Sequence, residues 1–206
     1  MDSVIKKLIP ENTKGKTADV ERSITLNSRE EALDAFKRAY KRLLNVNLWH
    51  DLTGFASAEF LLKNGEGHES HRLARVGDYF QIDIPGPGPV SGDGYDWVQV
   101  EAIEDHANPD AGEESFGMRV RSCKNPNKPG NTTAHFFTSD ATSTFIIYRE
   151  GNTVSASYHG RNEVLNTDTG ILKDTIRNTM VGAGAIAGIS ELQWARLIES
   201  FLETEV

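Results

Sequence analysis

Three groups of side chains have the composition that chemistry needs. His159, Arg161 and Glu163 follow Tyr158 at the end of a strand-like segment, and an imidazole, a cation and a carboxylate at a sheet edge can orient a polar ligand or pass a proton. Strand alternation nevertheless sends His159 to the face opposite Tyr158, and a solvated strand end is the plainer reading. His68 and His71 with Glu66 and Glu69 carry metal-ligating atoms, but no second cluster supplies the remaining ligands and the spacing follows no helix face. A polar loop accounts for them, as it does for His106 with Asp105 and Asp110. Cys123 is the only cysteine, so neither an intramolecular disulfide nor a cysteine metal cluster can form, and a reducing compartment fits. Its nearest charges, Arg121 and Lys124, are too weak an activating set for a nucleophile. Gly86, Gly88, Gly92 and Gly94 do not make a phosphate cradle, because Pro85, Pro87 and Pro89 remove N–H donors, Asp93 adds negative charge and a strand follows. A rigid loop at a cavity rim is the reading. No Ser, His and Asp stand in an elbow motif. The sequence thus presents no recognisable catalytic motif, and no cofactor and no metal are expected.

Charge narrows the partners. Twenty-two Lys and Arg against 30 Asp and Glu give a formal charge of −8, the wrong sign for a phosphate backbone. No nucleic-acid partner is expected. Lys37, Arg38, Lys41 and Arg42 are read as the solvated side of an amphipathic helix. Met1 to Pro10 lacks the apolar stretch of a signal peptide, and Met180 to Ile189 is about half the ~20 residues of a membrane span. A cytoplasmic chain without a membrane span is expected.

The elements that must position any site follow from hydrophobic periodicity. Val20 to Asn27 alternates as a first strand. Ser28 with Glu31 forms a capping box, and Leu33, Phe36, Tyr40, Leu43 and Leu44 then recur at helical spacing. Asn45 to Asp51 breaks that helix or begins a second, placing Leu48, Trp49 and Leu52 against the core. From Phe55 the period becomes two: Ala56, Ala58, Phe60, Leu62; Phe80, Ile82, Ile84; Val98, Val100, Ala102; Phe116, Met118, Val120; Val154, Ala156, Tyr158. One oily and one wet face per strand indicate an antiparallel sheet with a single covered face. Glu150-Gly151-Asn152 joins two strands as a hairpin. Helical spacing returns at Ile171, Leu172, Ile176 and Met180 and again from Trp194 to Leu202, with a second capping box at Ser190 and Gln193. Gly182, Gly184 and Gly188 between them predict a break or bend. The expected fold is α+β in one domain: a lead-in over 1–19, then a curved sheet of six or seven strands, an N-terminal helix pair and a long, interrupted C-terminal helix over 20–202.

This order resembles the helix-grip superfamily of START, polyketide-cyclase-like and birch-pollen-allergen-like proteins. Arg22-Ser23-Ile24-Thr25-Leu26-Asn27-Ser28 running into a helix is similar to its opening strand, Val76-Gly77-Asp78-Tyr79-Phe80 to its Gly-then-strand entry, and Trp194 with Leu197 and Phe201 to the end of its last helix. The Gly-rich loop departs from that pattern by coming one strand late. The resemblance implies a non-catalytic protein holding a small apolar or amphipathic ligand between sheet and last helix. Its contacts would be Phe80, Ile82, Val98, Phe116, Met118, Tyr158, Ile176 and Met180. Two alternatives stay open: an enzyme, such as a cyclase, isomerase or hydrolase, using the same hollow with His159 as acid or base, and an interaction module with a filled core. Oligomeric state is not legible.

Overall fold

The structure, a computed structural model, describes residues 5–54, 58–84, 89–108, 112–128, 130, 132–166 and 180–204, excluding the side chains of 180–190. Seven strands form one antiparallel sheet: β1 (Lys16–Thr25), β2 (Glu59–Lys63), β3 (Tyr79–Asp83), β4 (Asp96–Asn108), β5 (Glu113–Ser122), β6 (Thr142–Glu150) and β7 (Thr153–Glu163). Their order is β1-β7-β6-β5-β4-β3-β2. Helices α1 (Arg29–Leu44), α2 (Trp49–Thr53) and α3 (Met180–Leu202) complete an α+β fold of helix-grip architecture. The sheet curls strongly. The Trp194 indole of α3 lies 4.7 Å from the Tyr158 ring on β7 and 6.2 Å from the Phe60 ring on β2, although a flat sheet would separate those strands by ~24 Å.

Local chemistry explains the elements. Ser28 Oγ accepts from the Glu31 N–H at 3.1 Å and Glu31 Oε2 accepts from the Asn27 N–H at 3.3 Å, a reciprocal pair that caps the start of α1. Ala32, Phe36, Ala39 and Leu43 are the face that α1 buries. The Glu150-Gly151-Asn152 hairpin joins β6 to β7 as expected, with Glu150 paired to Thr153. At the centre of the main core Trp49, fully buried, packs its indole against Phe60, Phe80, Phe145 and Phe201 at ring separations of 5.1 to 5.9 Å.

Several expectations change. β1 begins earlier than Val20, at Lys16. Leu48 is 43% exposed rather than in the core, because the turn Val46–Leu48 points Val46 inward instead. Ala102 does not share a face with Val98 and Val100: a bulge between Val100 and Ala102 inserts one residue, which turns Ile103 to the main core and Ala102 to the other side. α3 runs without a break through Gly182, Gly184 and Gly188, so Ser190 and Gln193 lie inside a helix rather than at the start of one. Each glycine weakens a helix by about 1 kcal/mol, a cost tertiary contacts can offset, and none removes an N–H as proline does. Arg42 is no solvated residue either: its guanidinium donates to the Ser200 and Phe201 carbonyls at 3.1 and 3.3 Å and to that of Glu203, which satisfies the end of α3.

The outer face of the sheet is not simply wet. The turn Ile5–Leu8 lays Ile5 and Leu8 over Ile146 and Tyr148, forming a second small core with Ile9 and Ala102. Gly117 makes the room, since a Cβ there would collide with the Leu8 side chain. The Leu8 carbonyl accepts from the Arg119 guanidinium at 3.1 Å and from Thr144 Oγ1 at 3.4 Å. Among the described residues no helix is long and apolar enough to cross a membrane.

Candidate functional site

The inner face of the sheet is apolar along most of its length and polar at one end. Phe80, Ile82, Val98, Phe116, Met118 and Tyr158 all lie on it and are buried. Ile176 lies outside the described residues, as does the side chain of Met180, whose backbone begins α3. At the end where β4 begins and β5 and β7 finish, the same face presents Asp96, Ser122, Ser143, the Tyr158 hydroxyl and Glu163. The segment 132–141 closes over them: Trp97 N–H donates to the Ala134 carbonyl at 2.7 Å, Asn166 N–H to the Phe136 carbonyl at 2.7 Å, and Thr138 N–H to the Val164 carbonyl at 2.9 Å. Beneath it lies a cavity of about 10 Å³, lined by Val98, Val120, His135, Phe137, Ser143 and Glu163 among others. That is about the space of one water molecule.

Two chains of polar groups meet there. Tyr158 Oη donates to Glu163 Oε1 at 3.3 Å and lies 3.2 Å from Ser143 Oγ. Burial raises the Tyr158 hydroxyl well above its ordinary range, with the Glu163 charge adding to it. Burial also raises the Glu163 carboxyl, against the opposing hydrogen bond from Tyr158. Asp96 Oδ1 accepts from the Phe136 N–H at 2.6 Å, and burial pushes its carboxyl up to about 7. His135 Nδ1 lies 4.0 Å from that oxygen and accepts from the Phe137 N–H at 2.9 Å, so its proton sits on Nε2. Burial lowers the imidazole to about 3. Near neutral pH this end therefore offers a neutral imidazole, an un-ionised phenol and, at Asp96, a partly protonated carboxyl.

A bulge near the end of β7 makes Glu163 part of this set. Regular alternation from Tyr158 would place Asn162 inward and Glu163 outward, but β1 pairs Ala18 with Gly160 and Lys16 with Glu163, so β7 carries one extra residue. Asn162 absorbs it at φ 57°. Gly160 also has to lack a side chain, because a Cβ would meet Glu163 Oε1 and the Tyr158 hydroxyl.

The other sequence candidates separate. His159 lies outward, as alternation requires: its Nδ1 is 2.6 Å from Asp19 Oδ1 and its Nε2 3.0 Å from Ser157 Oγ, while Arg161 donates to the same Asp19 oxygen at 2.7 Å. Burial works to raise Asp19, but hydrogen bonds from Arg161 and His159 outweigh it and hold the carboxyl below its usual range. His68 pairs with Glu66 at 3.5 Å and His71 with Glu69 at 3.1 Å, both histidines exposed. His106 pairs with Glu104 at 3.4 Å rather than with Asp105, and Asp110 lies outside the described residues, as do residues 85–88. Among the described residues no three His, Cys, Asp or Glu side chains group as metal ligands. Cys123 is partly buried, and burial pushes its thiol up to about 12. Asp96 and His135 were not singled out from sequence. Asp96 carried a signal, an acidic residue two before Val98 on the oily side of β4; His135 carried none.

No protein-family model matches the chain, and no curated protein does. Solved structures do. A hypothetical protein from Helicobacter pylori aligns at a TM-score of 0.45 and 12% identity over 96% of this chain and 91% of that one. Ara h 8.0201 aligns at 0.33 and 12% over 91% and 99%, and ginseng major latex-like protein 151 from Panax ginseng at 0.32 and 14% over 87% and 97%.

Proposed function

We propose that this chain is a non-catalytic binding protein that holds a small apolar or amphipathic molecule on the inner face of its sheet, under α3. The observation that carries the reading is the pairing of an apolar wall with convergent polar groups at one closed end. Val98 and Val120 border the same one-water space as Ser143 and Glu163, so a ligand with an oily body and one polar group finds matching chemistry there but needs the inner face to open around it. Phe80, Ile82, Phe116 and Met118 continue the apolar wall.

A second reading, an interaction module with a filled core, is favoured by the ring packing around Trp49. An environment-sensitive dye separates the two. The binding reading expects saturable dye uptake by the native protein, reduced in Met118→Trp without unfolding, because the larger side chain occupies ligand space. The filled-core reading expects a parent that takes up no dye and a variant destabilised by roughly 1–3 kcal/mol through overpacking. That second pattern overturns the proposal.

A further inference from the structure

Glu163 owes its inward position to residues far away in the chain. Asn162 is surrounded by the segment before β1: its Oδ1 accepts from the Thr13 N–H at 2.8 Å and the Lys14 N–H at 3.3 Å, its own N–H donates to Asn12 Oδ1 at 2.7 Å, and its Nδ2 donates to the Glu11 carbonyl at 3.1 Å. Thr13 Oγ1 adds a fifth contact at 3.1 Å. Gly15 then lies so close that a Cβ would stand 2.5 Å from the Glu163 carbonyl oxygen, and its φ of +68° also demands glycine. The same stretch is tied down upstream by Ile5 and Leu8 on the outer face of the sheet.

Such a set of contacts does more than hold two segments together. Left-handed backbone costs most residues more than it costs asparagine, and the Glu11–Lys14 contacts hold Asn162 in that conformation here. Without the extra residue at Asn162, alternation returns Glu163 to the outer face and empties the closed end of its carboxylate. We infer that Asn162 is a positioning residue, through which the Glu11–Gly15 segment holds the Glu163 carboxylate in the inner-face site. The inference rests on the closed end being the binding site, yet the orientation of Glu163 can be read without any ligand.

The experiment is a carbon-detected NMR titration of the full chain labelled at glutamate, with Glu163→Gln assigning the signal. The groups that act on Glu163 are Tyr158, Glu191, Lys16 and Arg161, and His135 lines the same cavity. In the parent, Glu163 titrates above an ordinary glutamate. Asn162→Ala moves the midpoint down to the solvent-exposed range while the dispersion of the other signals is kept. Asn162→Asp, which keeps the acceptor for Thr13 and Lys14, retains most of the elevation. A variant with a purely structural loss is less stable but leaves the folded-state midpoint in place. If Asn162→Ala does not fold, Asn12→Ala, an exposed position, removes one latch contact and lowers the midpoint part of the way. An unmoved midpoint in folded Asn162→Ala, or in Asn12→Ala where Asn162→Ala does not fold, overturns the inference. Dye uptake measured on the same samples reports separately on the binding reading: a lowered midpoint in a protein that takes up no dye upholds the latch and removes the ligand.

Discussion

Replacing Asp96 by Asn should raise stability at pH 8 relative to pH 5, because the native carboxyl is held in the wrong environment for its charge. Asp96 is 3% exposed, with the Phe136 N–H on one oxygen and a neutral imidazole 4.0 Å away. Burial moves its pKa from 3.8 to about 7. The folded state therefore binds this proton more tightly than the unfolded chain between those values. Stability from this group is complete below pH 3.8, drains as the pH rises to about 7, and changes no further above. The whole loss is ~4 kcal/mol, of which ~3 kcal/mol falls between pH 5 and pH 8. His135 works the other way: its pKa falls from 6.5 to about 3, so its contribution is complete above 6.5 and is lost as the pH drops toward 3. The two slopes oppose each other between pH 4 and 6.5, so the parent's own profile hides both, and the difference between parent and variant is the quantity to measure. Asn keeps the acceptor for Phe136 and cannot ionise. Urea unfolding at pH 5 and pH 8 should show Asp96→Asn gaining about 3 kcal/mol on the parent between the two conditions. An equal difference at both pH values would refute the buried, unpaired carboxyl.

Three further outcomes follow from packing and burial. Trp49→Ala should lower urea stability by about 3–5 kcal/mol, since it removes a fully buried indole in contact with four rings; a loss under 1 kcal/mol would show that the interior is not packed around it. Gly117→Val should displace Ile5 and Leu8 from the outer face, which limited proteolysis reads as faster cleavage before Lys16; an unchanged cleavage pattern would contradict the fitted contact. Cys123, with its thiol raised to about 12, should react with a thiol reagent at pH 8 at least ten times more slowly in the native protein than in urea, and equal rates would sink that assignment.

Much of the fold is readable from periodicity, because an alternating strand or an amphipathic helix needs only its own residues to declare itself. Ser28 and Glu31 announce the start of α1, and Gly151 the β6–β7 turn. The features that build the site depend on pairs of distant segments. The bulge between Val100 and Ala102 shifts the pairing of β4 with β5 by one residue, and nothing in Val98 to Ile103 alone announces it. The inward turn of Glu163 depends on Asn162 meeting Glu11 to Lys14, about 150 residues earlier. Reading Tyr158 and Glu163 by plain alternation separates them; the extra residue brings them together. The outer-face core escaped for a similar reason: Ile5 and Leu8 look like a lead-in until Gly117, on a remote strand, leaves a space for them. Of the expected break or bend in α3, the break is absent because glycine lowers helix stability locally without removing a hydrogen bond.

The central claim, a ligand on the inner face with its polar group at the closed end, is tested most directly by methyl NMR of Met, Val and Ile groups during titration with a medium-chain alcohol. The account predicts saturable shifts at Met118, Val98 and Val120, with little change at Ile5 or Ile146 of the outer-face core, and weaker binding in Tyr158→Phe. Shifts confined to surface methyls, or growing without saturation, would contradict it.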